Sequence, residues 1–229
     1  MVRATISADI VSSTALSVEE LTLLQSEIRR FLAELSEKSQ GWDWGRLFKG
    51  VSVEIFLFDP NKALRVALLL KTLVKKTSLP KEKDKDVRRE FFKKYGVRLA
   101  IGVGEMRIAD QKQDVLDGDA IYYSGRMLEK QKQSGNDRLL MNSSMCFGYK
   151  DNAVDEYLNV ILDFLDILFR DATSRQCEIV YYRLLGKQEK EIAKLLNVSQ
   201  PAVNKQSNAI GWNAIESAVK YYEKLNFEQ

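Results

Sequence analysis

The run Thr5-Ile6-Ser7-Ala8-Asp9-Ile10-Val11-Ser12-Ser13-Thr14-Ala15-Leu16-Ser17-Val18-Glu19-Glu20 sets the architecture of the first half of the chain. Its start is rich in β-branched residues with partial alternation, which predicts a strand. Small hydroxyl residues follow. Ser17-Val18-Glu19-Glu20 then matches the Ser-x-x-Glu capping box, in which the serine side chain meets a backbone N–H and the glutamate reaches back. Leu21, Leu24, Ile28, Phe31, Leu32 and Leu35 continue at helical spacing.

Outward from that run, residues 42–48 and 51–58 read as two strands around the turn Lys49-Gly50. Asp59-Pro60-Asn61 opens a second helix, with Ala63, Val66, Ala67, Leu70, Leu73 and Val74 on its apolar side. Val97-Arg98-Leu99-Ala100-Ile101-Gly102-Val103-Gly104 is a strand, residues 120–128 a helix, and Arg138-Leu139-Leu140-Met141 a further strand. The first six elements, β-α-β-β-α-β, form the split-βαβ or ferredoxin-like pattern. The expected fold is α+β, an antiparallel sheet with helices on one face over residues 1–150. An all-α domain over residues 151–229 follows. It opens with a connecting helix over 154–170 that carries Leu158, Ile161, Leu162, Leu165 and Leu168.

Composition narrows the chemistry. At 229 residues and 45% hydrophobic, the chain has enough apolar surface for a core without staples. No stretch of about 18 apolar residues occurs, and the N-terminus lacks the apolar block of a signal peptide, so a cytoplasmic protein without membrane contact is expected. Histidine is absent, which excludes Ser-His-Asp and Cys-His catalysis and His-bearing zinc sites. Cys146 and Cys177 lie about thirty residues apart and read as buried apolar residues, not a disulfide framework or metal site. The net charge of +3 is small but unevenly spread: residues 71–98 hold eleven Lys or Arg against four Asp or Glu. The basic segment 75–94 is either a solvated insertion or an arm that contacts phosphate.

The last sixty residues are patterned for recognition. Thr173 caps a helix through Cys177, Val180, Tyr181 and Leu184, and Gly186 ends it. Residues 188–196 form a short helix with Ile192, Ala193 and Leu196 inward; Asn197-Val198 turn the chain; Ser199 caps a third helix with Pro201 in its first turn. That leaves Ser199, Gln200, Asn204, Lys205, Gln206 and Asn208 at its exposed start, side chains whose amides pair with adenine and whose ammonium meets guanine or phosphate. The module's eight Lys and Arg against six Asp and Glu are few for an autonomous DNA binder. A homodimer would double them. The stripe Trp212, Ile215, Ala218, Val219, Tyr222 and Leu225 is either core or the dimer seam.

These residues resemble a known module. Thr173-Ser174-Arg175-Gln176-Cys177-Glu178-Ile179-Val180, Glu191-Ile192-Ala193-Lys194-Leu195-Leu196 and Val198-Ser199-Gln200-Pro201-Ala202-Val203 are similar to region four of sigma factors and the LuxR-type helix-turn-helix over about forty residues. The resemblance implies DNA as partner.

In the first half, Asp9-Ile10-Val11-Ser12-Ser13-Thr14 has the form of an acid at a strand end followed by small residues, which suits Mg²⁺ and phosphate. With Ile101-Gly102-Val103-Gly104-Glu105, Asp117-Gly118-Asp119-Ala120-Ile121 and Arg126 downstream, it resembles the class III nucleotide cyclases, and more closely SatD-like proteins on that fold. The resemblance implies a nucleotide or metal site at Asp9, Ser12, Ser13, Thr14, Asp117 and Arg126. Two departures argue that it is vestigial. Val51 stands where the second metal-binding Asp is expected, and Tyr122 where an Asn is expected. Asp9, Asp117 and Arg126 also have plain structural roles open to them, as caps or surface ion pairs.

No catalytic residue and no cofactor are therefore expected, beyond Mg²⁺ or a nucleotide ligand at Asp9. The expected function is a bacterial DNA-binding transcriptional regulator, with a catalytically degenerate cyclase-like half for sensing or homodimerisation. The alternatives are a metal-dependent nucleotide-processing enzyme and a protein-interaction module that does not touch DNA.

Overall fold

The computed structural model describes residues 1–77, 86–133 and 143–227. Strand β1 (Val2–Ile10) is central, with β3 (Ser52–Leu57) antiparallel on one side and β4 (Val97–Asp110) antiparallel on the other. Strand β2 (Trp44–Phe48) forms the edge beyond β3. Phe48 pairs with Ser52, so the β2–β3 loop is the three residues Lys49, Gly50 and Val51, with Lys49 and Gly50 both at positive φ (50° and 74°). Strand β5 (Val115–Gly118) pairs with the far half of β4. The resulting hairpin curls back across the sheet, so that Asp114 at its tip reaches Arg46 on the opposite edge strand at 2.9 Å.

Two helices, α1 (Val18–Lys38) and α2 (Ala63–Lys76), cover one face. Alternate β1 side chains Ala4, Ile6, Ala8 and Ile10 point into that core with Leu24 and Ile28 of α1 and Leu64 and Leu68 of α2. The capping box forms as expected, Ser17 accepting from the Glu20 N–H and Glu20 accepting from the Ser17 N–H. Glu20 also receives the Arg89 guanidinium, which ties α1 to α3 (Val87–Tyr95).

The other face was expected to be free of helix; it carries α4 (Asp119–Gln133). Two glycines permit this. A Cβ on Gly102 would sit 2.1 Å from the Ala120 carbonyl oxygen, and one on Gly104 would sit 2.7 Å from the Asp119 Cβ. Between helix and sheet, the hydroxyls of Thr5 and Ser7 bond that of Ser124 at 2.9 and 2.8 Å, so the buried polar groups satisfy one another. Nor is the sheet wholly antiparallel, because β6 (Met145–Gly148) runs parallel beside β4. The strand expected at 138–141 lies outside the described residues, as do residues 78–85 of the basic segment.

In the described part of that segment, Lys75 and Arg89 are buried. Lys75 Nζ donates to the Lys93 and Lys94 carbonyls at the C-terminus of α3 (2.9 and 2.6 Å), where a cation complements the helix dipole.

Among the described residues five helices follow: α5 (Asn152–Arg170), α6 (Ser174–Leu184), α7 (Glu189–Leu195), α8 (Gln200–Ala209) and α9 (Trp212–Tyr222). The sheet's core continues without a break through Leu158, Leu162, Leu165 and Phe169 of α5, Cys177, Val180 and Leu184 of α6, and Ile215, Val219 and Tyr222 of α9. The stripe from Trp212 to Tyr222 is thus spent on this chain's own core. Asn61 Nδ2 donates to the Glu223 and Leu225 carbonyls (3.1 and 2.6 Å), and the Tyr149 hydroxyl donates to the Phe227 backbone carbonyl (2.8 Å). These bonds sew the chain's end to the sheet domain.

Candidate functional site

The exposed start of α8 holds one set of expected residues. Ser199 is extended and accepts from the Ala202 N–H at 3.3 Å, while Pro201 occupies the first turn. Before it, Asn197 is left-handed (φ 51°), and the Val198 N–H donates to the Ala193 carbonyl at 3.0 Å, which closes α7 and reverses the chain. Val203 packs with Ile192, Ala193 and Ile179 in a small core of its own. With Val203 and Ser207 turned inward, Ser199, Gln200, Asn204, Lys205 and Asn208 face solvent and Gln206 is half-buried.

The polar side chains of α8 are linked. Asn208 Nδ2 donates to Asn204 Oδ1 (3.1 Å), and Asn204 Nδ2 donates to Glu189 Oε1 (3.2 Å). That same Glu189 oxygen accepts from Arg183 (3.0 Å), whose guanidinium lies 4.8 Å from the centre of the Trp212 ring. Glu189 and Arg183 escaped the sequence reading because no helical spacing relates them to Asn204. Only the fold brings Glu189 across fifteen residues. Lys190 and Lys194 are exposed on α7. Amide pairs for base edges and ammonium groups for phosphates are the chemistry on offer here.

The second set is dispersed. Asp9 lies opposite Ser52 on β3 and Arg98 on β4. Its carboxylate accepts from the Ser52 hydroxyl (2.8 Å) and lies 3.5 Å from the Arg98 guanidinium. Two residues along the same sheet face, Glu54 accepts from Arg46 Nε at 2.8 Å. A metal at Asp9 would need further oxygen ligands with lone pairs free, whereas the Arg98 guanidinium and the donating Ser52 hydroxyl beside it supply none. The residues present therefore do not fit Mg²⁺. Among the described residues no group of three or more Cys, Asp and Glu is placed to hold a metal ion.

Ser12, left-handed at φ 49°, Ser13 and Thr14 form the short turn after β1. Asp117 pairs with Arg107 (2.8 Å) within the β4–β5 hairpin. Arg126 is exposed on α4, bonded to the Tyr122 hydroxyl one turn back (3.1 Å). Val51, at the expected ligand position, contributes its backbone carbonyl to the Ile10 N–H (3.0 Å). An open cavity of about 760 Å³ lies between α1 and β2, with Arg29, Ser36, Arg46 and Gln111 among its lining; Asp9 is not part of it.

No protein-family model matches this chain, and no curated protein does. Among solved structures, that of a bacterial light-regulated adenylyl cyclase aligns with 14% identity and a TM-score of 0.39, over 64% of this chain and 74% of that one.

Proposed function

We propose that this chain is a DNA-binding regulatory protein whose helices α7 and α8 act as a helix-turn-helix. In this reading α8 enters the major groove and residues 1–150 form a catalytically silent domain that carries it. The observation behind it is the surface of α8. Its inward positions are filled by Val203 and Ser207, while its cap and first two turns present Ser199, Gln200, Asn204, Lys205 and Asn208 to solvent. Asn204 and Gln200 suit adenine edges, Lys205 a guanine or phosphate, and Lys190 and Lys194 the backbone on either side. In the free protein Asn204 is held by Glu189, so docking exchanges that bond for one to a base.

Selection from random duplex DNA, followed by gel-shift titration across salt, tests this. Binding should weaken steeply with salt. Lys205→Ala should reduce the slope of log K against log salt by about 0.9, and Asn204→Ala should cost about 1–3 kcal/mol and relax preference at one base pair. Failure of the full chain to bind any duplex at low salt refutes the proposal and leaves α8 as a protein-docking surface. The enzyme alternative is disfavoured by Arg98 beside Asp9, and incubation with ATP or GTP and Mn²⁺ checks it: a product that vanishes in Asp9→Ala would restore it.

A further inference from the structure

Helix α5 is apolar on two sides, and among the described residues one of them is buried and the other exposed. Leu158, Leu162, Leu165 and Phe169 fill the core. On the outward side, Tyr157, Val160, Phe164 and Ile167 are 54, 54, 67 and 47% exposed. Tyr221 of α9 lies against Tyr157 (ring centroids 5.8 Å) and broadens the strip. With three half-exposed aromatics and two aliphatics, this patch offers roughly 500–600 Å² of apolar surface, the upper end for a monomer that keeps it open to water.

Two features say what covers it. The first is spacing. Residues 157, 160, 164 and 167 follow the three-four-three step of a coiled-coil seam, so a second helix with the same step fits it knob into hole. The second is charge. If the partner helix runs antiparallel, Tyr157 meets Ile167 of the other copy and Val160 meets its Phe164. The same register brings Glu156 beside Arg170 of the other copy, twice by symmetry. Asp163 then lies near the axis at the solvated rim, where like charges cost little. In a parallel pair Glu156 and Asp163 would instead face the apolar Ile161 and Leu168. Two such patches together bury roughly 1,000–1,200 Å², at the lower bound of stable standard interfaces.

We propose that α5 is the interface of a two-fold symmetric homodimer, formed by antiparallel pairing of Tyr157, Val160, Phe164 and Ile167 with the same residues of a second copy. This goes beyond the DNA reading and does not need it: the readout is mass, not DNA affinity.

Sedimentation equilibrium on the full chain, from about 1 to 100 µM, tests it. The wild type should be dimeric. Phe164→Lys should weaken the dimer more than about 100-fold while leaving the circular dichroism spectrum and melting temperature of the monomer intact, because that side chain is mostly exposed. Glu156→Lys and Arg170→Glu should each weaken it about tenfold, and the double variant should recover most of that loss. A wild type that stays monomeric at about 100 µM overturns the proposal. So does a dimer indifferent to Phe164→Lys, which places the contact elsewhere. Single charge reversals that the double variant fails to restore overturn the antiparallel register.

Discussion

Replacing Lys71 by methionine keeps most of the stem and removes the charge from the most buried ion pair among the described residues. Lys71 on α2 is fully buried, as is its partner Asp166 on α5, with Nζ 3.1 Å from Oδ1. Nζ also donates to the Tyr95 carbonyl (3.3 Å) and to the Ser144 hydroxyl. Ser144, at the entry to β6, gives Asp166 both its N–H (2.9 Å) and its hydroxyl. Burial alone would raise the Asp166 pKa. The Lys71 charge and the two Ser144 donors outweigh it, so the carboxylate stays below its ordinary value.

Lys71→Met removes the ammonium that pairs with that carboxylate and leaves a charge in the core. Breaking one side of such a pair costs about 3–5 kcal/mol, and the Tyr95 carbonyl loses a donor worth about 1 kcal/mol. Part of this is relieved if Asp166 takes up a proton, so about 3–4 kcal/mol is expected at pH 7. Lys71→Met with Asp166→Leu removes both charges and should cost less than Lys71→Met alone. A coupling of at least about 2 kcal/mol should then appear in the double-mutant cycle. The signature in pH is specific. In the wild type Asp166 contributes stability above its unfolded pKa that is lost as pH falls through the lower folded one. In Lys71→Met the folded pKa is raised instead, so the gap between the two proteins should narrow from pH 7 to pH 4. Urea unfolding followed by far-ultraviolet circular dichroism measures each quantity. A cost under about 1 kcal/mol, or additivity within about 0.5 kcal/mol, would refute the assignment of this pair as a charged, coupled hub.

Two further perturbations probe how α4 and α3 are held. Gly102→Ala forces a methyl to within 2.1 Å of the Ala120 carbonyl oxygen, so α4 must lift from the sheet; a loss of about 3 kcal/mol or more is expected in thermal melts. Gly125→Ala on the same helix meets nothing within 4 Å and should gain up to about 1 kcal/mol, which separates the contact from helix propensity. At Lys75, burial depresses the pKa to about 8, and the unfolded chain titrates near 10.5. Unfolding therefore takes up a proton in that window, so wild-type stability should rise relative to Lys75→Met by about 2–3 kcal/mol from pH 7 to pH 10.5. A flat difference across that range would show that Lys75 titrates normally.

What was legible in the sequence was local. The capping box at Ser17 and Glu20 needs three residues of context and was read in place; the hairpin at Lys49-Gly50 was read too, but its loop also takes in Val51, expected as the first strand residue. Partners far along the chain were not. That Glu20 also anchors Arg89, 69 residues on, follows only from packing α3 on α1. Helix α3 was hidden because its charges dominate a short segment whose inward residues are only Arg89, Phe92 and Tyr95. The Gly-x-Gly of residues 102–104 signals close approach of another backbone, but not that the visitor is α4. At Asp9 the register of β1 between β3 and β4 makes Ser52 and Arg98 its neighbours, and a register depends on pairings that no local pattern encodes. Periodicity likewise gave the apolar face of α9 without its partner, and so left core and dimer seam equally open.

Helix α6 explains why the division into residues 1–150 and 151–229 does not mean two independently moving bodies. One side of it, Cys177, Val180 and Leu184, belongs to the sheet's core; the other, Ile179, belongs to the small core that holds α7 and α8. Arg65 on α2 adds a bond to the Leu184 carbonyl (2.8 Å) and an ion pair with Glu223 (2.6 Å). The α8 surface is therefore mounted on a helix that cannot rotate without disturbing the sheet domain's packing. If α5 pairs two copies, the same rigidity fixes the separation of their two α8 helices. A bound duplex should then show a fixed half-site spacing in the selected sequences, and inserting base pairs between half-sites should abolish binding by the dimer while sparing that of a Phe164→Lys monomer to a single half-site.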